Sequence, residues 1–296
     1  LDRVTEVTDE LKRLMKEFSK ELAILKGRVD GLEARVGELE ATQFSTTTKL
    51  KGQATFVIGA NSFGGDAKQG AVDTLLGSPA TSGGSFRSGS VGTKRADAAA
   101  ALSGATSFNY DLRLFLDTSF TGKDLLRTML RSGNFGSSAY GAGGYVGLDG
   151  METAFEEGSP NNVVVNRLWY QFPIGDSFTA TVGGRVRQDD MLAVWPSAYP
   201  ADTVLDFFTY AGAPATYNLA LGSGGGLSWE SDDFSISANY VSTNGELSDP
   251  NVGGIATDGA GSVGTVQIAY APENWGLAAA YNYSSENAGS LYAGNG

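Results

Sequence analysis

The sequence predicts an antiparallel transmembrane β-barrel that is preceded by an N-terminal α-helical coiled coil. Three patterns lead to this prediction. Apolar residues repeat in heptads over roughly the first forty positions, apolar and polar residues then alternate with period two, and the alternating segments are joined by short and long connections in turn. We place the coiled coil at residues 1–43 and the barrel at residues 44–296.

The heptad repeat defines the first element. With Leu1 at position a, only Thr8 and Gln43 are polar on the seam formed by positions a and d. A seam of this kind is typical of helices that pack against copies of themselves, and valine at a with leucine at d favours two strands. The apolar seam comprises Val4, Leu11, Met15, Phe18, Leu22, Leu25, Val29, Leu32, Val36 and Leu39. Residues at g and at the following e carry opposite charges, as expected for a parallel coiled coil, in the pairs Glu21 with Lys26, Arg28 with Glu33, and Arg35 with Glu40. The alternative is a single amphipathic helix that packs on its own domain.

Period-two alternation defines the strands. It is clearest at 54–58, 108–114, 165–172, 178–187, 234–240, 265–270 and 277–283. With two weaker segments we count nine strands, each with one apolar and one polar face. An odd number of strands leaves an unpaired backbone edge in lipid, so we expect further strands beyond this sequence.

The connections favour a membrane barrel over a soluble sheet. Tight polar turns lie at 121–124, 174–177, 230–233 and 272–275, and long connections lie at 61–105, 134–162, 188–218 and 244–262. Outer-membrane barrels are built in this way, with short periplasmic turns and long outer loops. We therefore expect the coiled coil and the short turns to lie in the periplasm.

Composition excludes several classes of function. The chain has no cysteine and no histidine, which excludes thiolate and histidine catalysis and the common zinc and copper sites. Its net charge of −12 argues against a nucleic-acid partner, because binding to phosphate requires a basic surface. We therefore predict neither an enzyme nor a cofactor or metal site.

Six arginines are predicted to line the pore. Strand alternation places them all on the polar face: Arg113, Arg127, Arg131, Arg167, Arg185 and Arg187. A basic wall that faces acidic outer loops would create a transverse field and select small polar solutes and ions. In the alternative interpretation, these arginines pair with wall carboxylates such as Asp111 and Asp117 and stiffen the barrel.

The third long connection, 188–218, is the candidate for a loop that folds into the pore, because it is unusually aromatic for an exposed loop. Its candidate constriction residues are Asp189, Asp190, Trp195, Asp202 and Asp206. The alternative is a loop that packs on another loop or on a neighbouring subunit. The glycine-rich run 222–226 precedes a strand, so it indicates close backbone approach and not phosphate binding.

The coiled-coil segment 22–40, the junction 41–45 and the first strand at 48–56 together resemble the cyanobacterial major outer-membrane porins, a family that includes iron-uptake porins. The resemblance implies a trimeric, carbohydrate-porin-like barrel of about sixteen strands in full. It also implies a surface-layer-homology domain upstream of Leu1 that binds peptidoglycan or another wall polymer. The implied partners are therefore copies of this chain, outer-membrane lipid and the wall.

We expect an outer-membrane porin through which small polar solutes and inorganic ions, with iron among the candidates, diffuse passively. The stalk would link the barrel towards the cell wall. The alternative function is a structural tether between outer membrane and peptidoglycan with little or no channel activity.

Overall fold

A computed structural model describes residues 2–42, 47–68, 92–141, 150–154, 160–197 and 212–289. The chain divides into two units, Leu1–Thr46 and Thr47–Gly296. The first unit holds one helix, α1 (Asp2–Thr42). Among the described residues, no helix combines the length and the apolar composition needed to cross a membrane.

The seam of α1 is exposed. Its side chains from Leu11 to Val36 have between 50% and 68% of their surface accessible. The side chains of Val4 and Leu39 lie outside the part of the chain that the structure describes. The helix prediction is confirmed, whereas its coiled-coil packing stays a prediction, because a seam of this kind is buried only against other helices.

The described residues of the second unit form an antiparallel sheet of nine strands whose spatial order is the order of the sequence. The strands are β1 (Thr48–Gly59), β2 (Ser107–Thr118), β3 (Leu125–Gly133), β4 (Val164–Ile174), β5 (Phe178–Arg187), β6 (Leu221–Ser231), β7 (Phe234–Ser242), β8 (Ser262–Tyr270) and β9 (Leu277–Ser284). The predicted antiparallel arrangement of nine strands is confirmed. The structure adds a short helix, α2 (Arg95–Ser103), in the first long connection, and 3-10 helices at Gln188–Met191 and Glu286–Ala288.

Short and long connections alternate as predicted. The turns after β2, β4, β6 and β8 have at most six residues, and the connections after β1, β3, β5 and β7 are much longer. Two of the short turns use a glycine with positive φ, Gly122 at 81° and Gly175 at 66°. A glycine adopts this conformation without the steric cost that a side chain would add.

The buried face of the sheet is polar and the exposed face is apolar, which is the reverse of the arrangement in a soluble protein. On β7, Ser235, Ser237 and Asn239 are buried, while Phe234, which precedes them, and Ile236, which alternates with them, are about half exposed, at 53% and 44%. We call the buried, polar side the inner face and the exposed, apolar side the outer face. Strands with apolar residues towards lipid and polar residues towards a lumen show this pattern.

A small apolar core lies on the inner face. Trp169, Val186, Val241 and Val263 pack there with Met191 of the first 3-10 helix. This core fixes the chain that follows β5 against the sheet, so it positions part of the third long connection at the candidate site.

Candidate channel lining

Two arginines share one carboxylate on β2 and β3. Arg113 and Arg131 lie directly opposite each other in the strand register. Arg131 donates from Nε to Oδ1 of Asp111 at 2.7 Å, and Arg113 donates from Nε to Oδ2 at 2.8 Å. All three side chains are buried. Two like charges in this position would repel each other, and the carboxylate between them offsets that repulsion.

A second carboxylate, Asp117, joins β1, β2 and β3. It accepts hydrogen bonds from Arg127 Nε at 2.8 Å and from Lys51 Nζ at 3.0 Å. The Arg127 guanidinium also lies 5.2 Å from the ring centroids of both Phe115 and Trp169. These contacts hold the guanidinium in one orientation on the inner face.

The remaining ion pairs involve the chain that follows β5. Arg167 donates from Nε to Oδ2 of Asp190 at 2.9 Å, and Arg187 pairs with Asp189 and, at 3.6 Å, with Glu152. Burial favours a raised pKa at both aspartates. At Asp189 the charges of Arg187 and Arg167 outweigh burial, so its pKa is lowered. At Asp190 burial outweighs the nearby arginines, so its pKa is raised. The described residues contain no group of three or more carboxylates placed to hold a metal ion.

Arg185 does not follow the simple alternation. A β-bulge between Gly183 and Val186 shifts the register, and Arg185 lies opposite Leu168. Leu168 is exposed on the outer face, and Val186, the next residue after Arg185, is fully buried. Residues directly opposite each other share a face, so the pore-lining position of Arg185 stays a prediction. By the arginine cluster we mean Arg113, Arg127, Arg131, Arg167 and Arg187, whose ion pairs are described above.

The chain after β5 lies across the inner face. We call residues 188–197 the inward segment. The side-chain amide of Gln188 donates to the backbone carbonyl of Thr216 at 2.7 Å and to the hydroxyl of Thr265. The backbone carbonyl of Gln188 accepts a hydrogen bond from the side chain of Asn239 at 3.2 Å. The backbone N–H of Ala193 donates to Ser237 at 2.9 Å.

The aromatic residue of the inward segment also packs towards the sheet. Trp195 stacks edge-on against Tyr217 with 5.3 Å between ring centroids, and the hydroxyl of Tyr217 accepts a hydrogen bond from Gln267 at 2.9 Å. The structure therefore brings Asp189, Asp190 and Trp195 to the inner face, while Asp202 and Asp206 lie outside the described residues.

Glycine explains how the inward segment comes so close to the wall. A Cβ atom on Gly226 would lie 3.0 Å from the Cβ of Met191 and 2.9 Å from the Cβ of Asn239. The glycine-rich run therefore serves close approach inside β6, as expected from the sequence.

Two contributors to the site were not singled out from the sequence. Lys51 alternates with Gln53 and Thr55 on the polar face of β1, so period-two alternation could have found it. Gln188 carried no such signal, because its partners Thr216 and Thr265 belong to distant parts of the chain.

The charges are divided sharply along the chain. All 21 lysines and arginines precede Gln188, together with 21 of the acidic residues, so the entire net charge of −12 belongs to residues 188–296. On the inner face, β2–β5 carry the arginine cluster, whereas β7 and β8 present neutral polar groups: Ser235, Ser237, Asn239, Thr265 and Gln267. The wall thus has an ionic part and a neutral part.

Comparison with known proteins places the chain in a family. The family model described as carbohydrate-selective porin, OprB family, matches residues 6–287. The uncharacterized protein sll0772 of Synechocystis sp. is 30% identical over 292 residues, which cover 97% of this chain and 46% of the relative. The uncharacterized protein alr4550 of Nostoc sp. is 39% identical over 190 residues, which cover 59% and 26%. The chain therefore spans less than half the length of these relatives.

A solved structure, the high-pH form of Pseudomonas putida OprB, aligns with a TM-score of 0.41 at 10% identity over 62% of this chain and 48% of its own. The family match agrees with the prediction of a channel protein and not an enzyme, and OprB porins are outer-membrane proteins. The chain belongs to the OprB family of carbohydrate-selective porins.

Proposed function

We propose that this chain forms part of a closed outer-membrane barrel, of about sixteen strands in full, through which small polar solutes, carbohydrates above all, diffuse passively. The observation that carries the proposal is the polarity of the sheet. Side chains such as Gln267 and Asn239 are buried on the inner face, while Phe234 and Ile268 are exposed on the outer face. Closure follows from the chemistry of lipid, where an open sheet edge has no hydrogen-bond partner.

The arginine cluster supports selectivity of a particular kind. Because Arg113, Arg131 and Arg127 pair with wall carboxylates, the ionic part presents paired charges and not a free basic surface. Charges fixed on one side of a narrow passage orient polar solutes and ions by their dipoles. Inorganic ions share this path in our proposal, and iron is included on the sequence resemblance alone.

The proposal extends to α1. Its exposed apolar seam supports a coiled coil between copies of the chain, with a trimer taken from the family resemblance. In this proposal the coiled coil is a periplasmic stalk that connects the barrel towards peptidoglycan through an upstream wall-binding domain. The same helix supports the second candidate function, a tether with little or no channel activity.

Planar-bilayer recording of the full-length protein, with reversal potential in a salt gradient and sugar-driven liposome swelling, tests the channel. The double variant Arg167→Gln, Asp190→Asn removes a buried pair without leaving a lone charge. We expect it to change both conductance and reversal potential. The matched control is Glu10→Gln with Arg13→Gln, an exposed pair on α1 that should change neither. A folded, inserted protein that passes neither current nor sugar would contradict the channel and favour the tether.

A further inference from the structure

The outer face carries an apolar groove near the short-turn end of β5, β6 and β7. It has a volume of about 390 Å³ and is lined by Phe178, Leu227, Trp229, Ile236 and Ala238. Every lining side chain is apolar apart from the indole N–H of Trp229, and Phe178, Leu227 and Ile236 are each more than 40% exposed. We call this feature the outer groove.

The strand register shows why a groove forms here. Phe178, Trp229 and Ile236 lie in one row across β5, β6 and β7. In the next row, Leu227 has the small residues Ala180 and Ala238 on either side. A row of large side chains beside a row with two alanines leaves a groove, because the alanine side chains fill less volume than their neighbours.

The charges at the end of the groove are all negative. The turns after β4 and β6 present exposed carboxylates at Asp176, Asp232 and Asp233, and the exposed Glu230 follows Trp229. The two turns are adjacent, because the N–H of Glu230 donates to the carbonyl of Ser177 at 2.9 Å. Neither turn contains a lysine or an arginine.

We propose that the outer groove binds one acyl chain of a membrane glycerolipid whose headgroup carries no net negative charge. The groove is continuous with the exposed apolar face that meets lipid in an outer-membrane barrel. Trp229 places an aromatic ring in the groove at the strand end, where tryptophan sits at the level of lipid headgroups, and its N–H has no acceptor among the described residues. The carboxylates at the mouth repel an anionic headgroup and tolerate a neutral or zwitterionic one.

An isologous contact with a second copy of the chain fits this surface less well than lipid does. Two copies that met through the same face, in an isologous contact, would bring the four carboxylates of one copy against those of the other. A lipid with an uncharged or zwitterionic headgroup avoids this repulsion while it fills the same apolar volume.

Fluorescence quenching by brominated lipids tests the site in the full-length protein reconstituted into vesicles. The parent variant is Trp275→Phe, which removes the other tryptophan of the short-turn end. Any tryptophan outside residues 1–296 is also replaced by phenylalanine. Of the three that then remain, Trp169 is buried and Trp195 packs against Tyr217, so Trp229 reports the outer groove. Vesicles contain both phosphatidylcholine and phosphatidylglycerol, with only the first brominated in one series and only the second in the other. The extent of Trp229 quenching in the two series gives the relative affinity of the site for the two headgroups.

We expect phosphatidylcholine to be preferred on the order of threefold over phosphatidylglycerol. Ala238→Leu should abolish this preference by filling the groove. The matched control Ala279→Leu, on the outer face of β9 opposite Ile268, should keep it. Asp232→Lys with Asp233→Lys should shift the preference towards phosphatidylglycerol.

Equal affinity for the two headgroups in the parent, or equal effects of the two alanine substitutions, would overturn the proposal. Trp229 emission that no brominated lipid quenches would show the groove to be covered by protein, which also overturns it. The site requires only that the outer face lies in lipid. A protein that binds lipid here and passes no solute would therefore contradict the proposed channel and leave the lipid site standing.

Discussion

Asp111 is a single carboxylate that keeps two opposed arginines in place. Only 1% of its surface is exposed, and each of its oxygens accepts from a different guanidinium. Removing one member of a buried charge group is costly because the charges left behind have lost both their partner and their water. The burial of the arginine cluster therefore depends on the carboxylates that pair with it.

Asp111→Asn should destabilise the barrel by about 3–5 kcal/mol, because it removes the buried carboxylate charge that both Arg113 and Arg131 contact. Denaturant titration of the folded protein in detergent, followed by the mobility difference between folded and unfolded barrels, measures the change. Asp66→Asn is the control, since it removes an exposed pair with Lys94 and should cost less than about 1 kcal/mol. Equal effects of the two substitutions would contradict a buried ionic role for Asp111.

Asp124 organises the short turn between β2 and β3. Its Oδ1 accepts from the backbone N–H groups of Phe120 and Thr121 and from two hydroxyls, while its Oδ2 accepts from the hydroxyl of Tyr170 on β4 at 2.7 Å. Burial alone would raise the pKa of this carboxyl, but hydrogen bonds from Thr121, Tyr170 and Ser119 hold it well below its usual range.

This lowered pKa predicts a pH-dependent contribution to stability. The unfolded chain takes up a proton at Asp124 near pH 4, whereas the folded chain does so only at a much lower pH. The stabilisation is therefore complete above about pH 4 and is lost as the pH falls further. Asp124→Asn should lower the melting temperature at neutral pH and reduce its fall in acid. Asp176→Asn, in the next short turn, is the control; a pH profile shifted equally by both substitutions would contradict this role.

At the scale of elements, the position of the inward segment depends on the absence of a side chain at Gly226 in β6. Gly226 allows Met191 to join the small core on the inner face, and Asp189 and Asp190 then reach arginines on β4 and β5. One 3-10 helix thus connects the apolar core with the ionic part of the wall. A side chain on β6 at this point would separate them.

Gly226→Ala should push the inward segment away from the wall, because the added methyl group would lie within 3.0 Å of the Met191 Cβ. We expect a loss of stability of about 1–3 kcal/mol and a changed single-channel conductance. Gly264→Ala is the matched control, since a Cβ there meets nothing closer than 3.9 Å. Unchanged conductance in the Gly226 variant would show that the segment does not constrict the passage.

At the scale of the whole molecule, α1 and the sheet each expose an apolar surface, and we expect each surface to contact a different partner. The sheet exposes residues such as Ile236 and Ile268 over a broad face suited to lipid. The helix exposes a narrow seam, in which Leu22, Leu25 and Val29 repeat at heptad spacing, suited to other helices. Self-association through α1 is therefore the expected quaternary contact.

Cysteine cross-linking tests that contact cleanly, because the chain has no native cysteine. Leu25→Cys at a seam position should form disulfide-linked dimers rapidly on mild oxidation, as read on a non-reducing gel. Ala34→Cys, on the opposite side of the heptad, should remain largely unlinked. Comparable cross-linking at both positions would mean random collision and would contradict a coiled coil in this register.

Several features could be predicted from short stretches of sequence. Alternation identified the strands around Phe234 and Ile268, and the polar turns separated them correctly. Helix α2 is not predicted by the pattern of apolar residues, because its alanine-rich stretch favours a helix but lacks an amphipathic period. The β-bulge between Gly183 and Val186 could not be predicted, because alternation alone carries no signal for an irregular register.

The sequence by itself determined the nine antiparallel strands, their meandering order and the polarity of their faces, because alternation and turn chemistry are local properties. Only the tertiary structure decided which carboxylate pairs with which arginine and where the inward segment lies. Several of those contacts join residues far apart in the chain, such as Gln188 and Thr265, which are separated by 77 positions. They depend on strand register and close packing, and neither can be read from a residue and its neighbours in sequence.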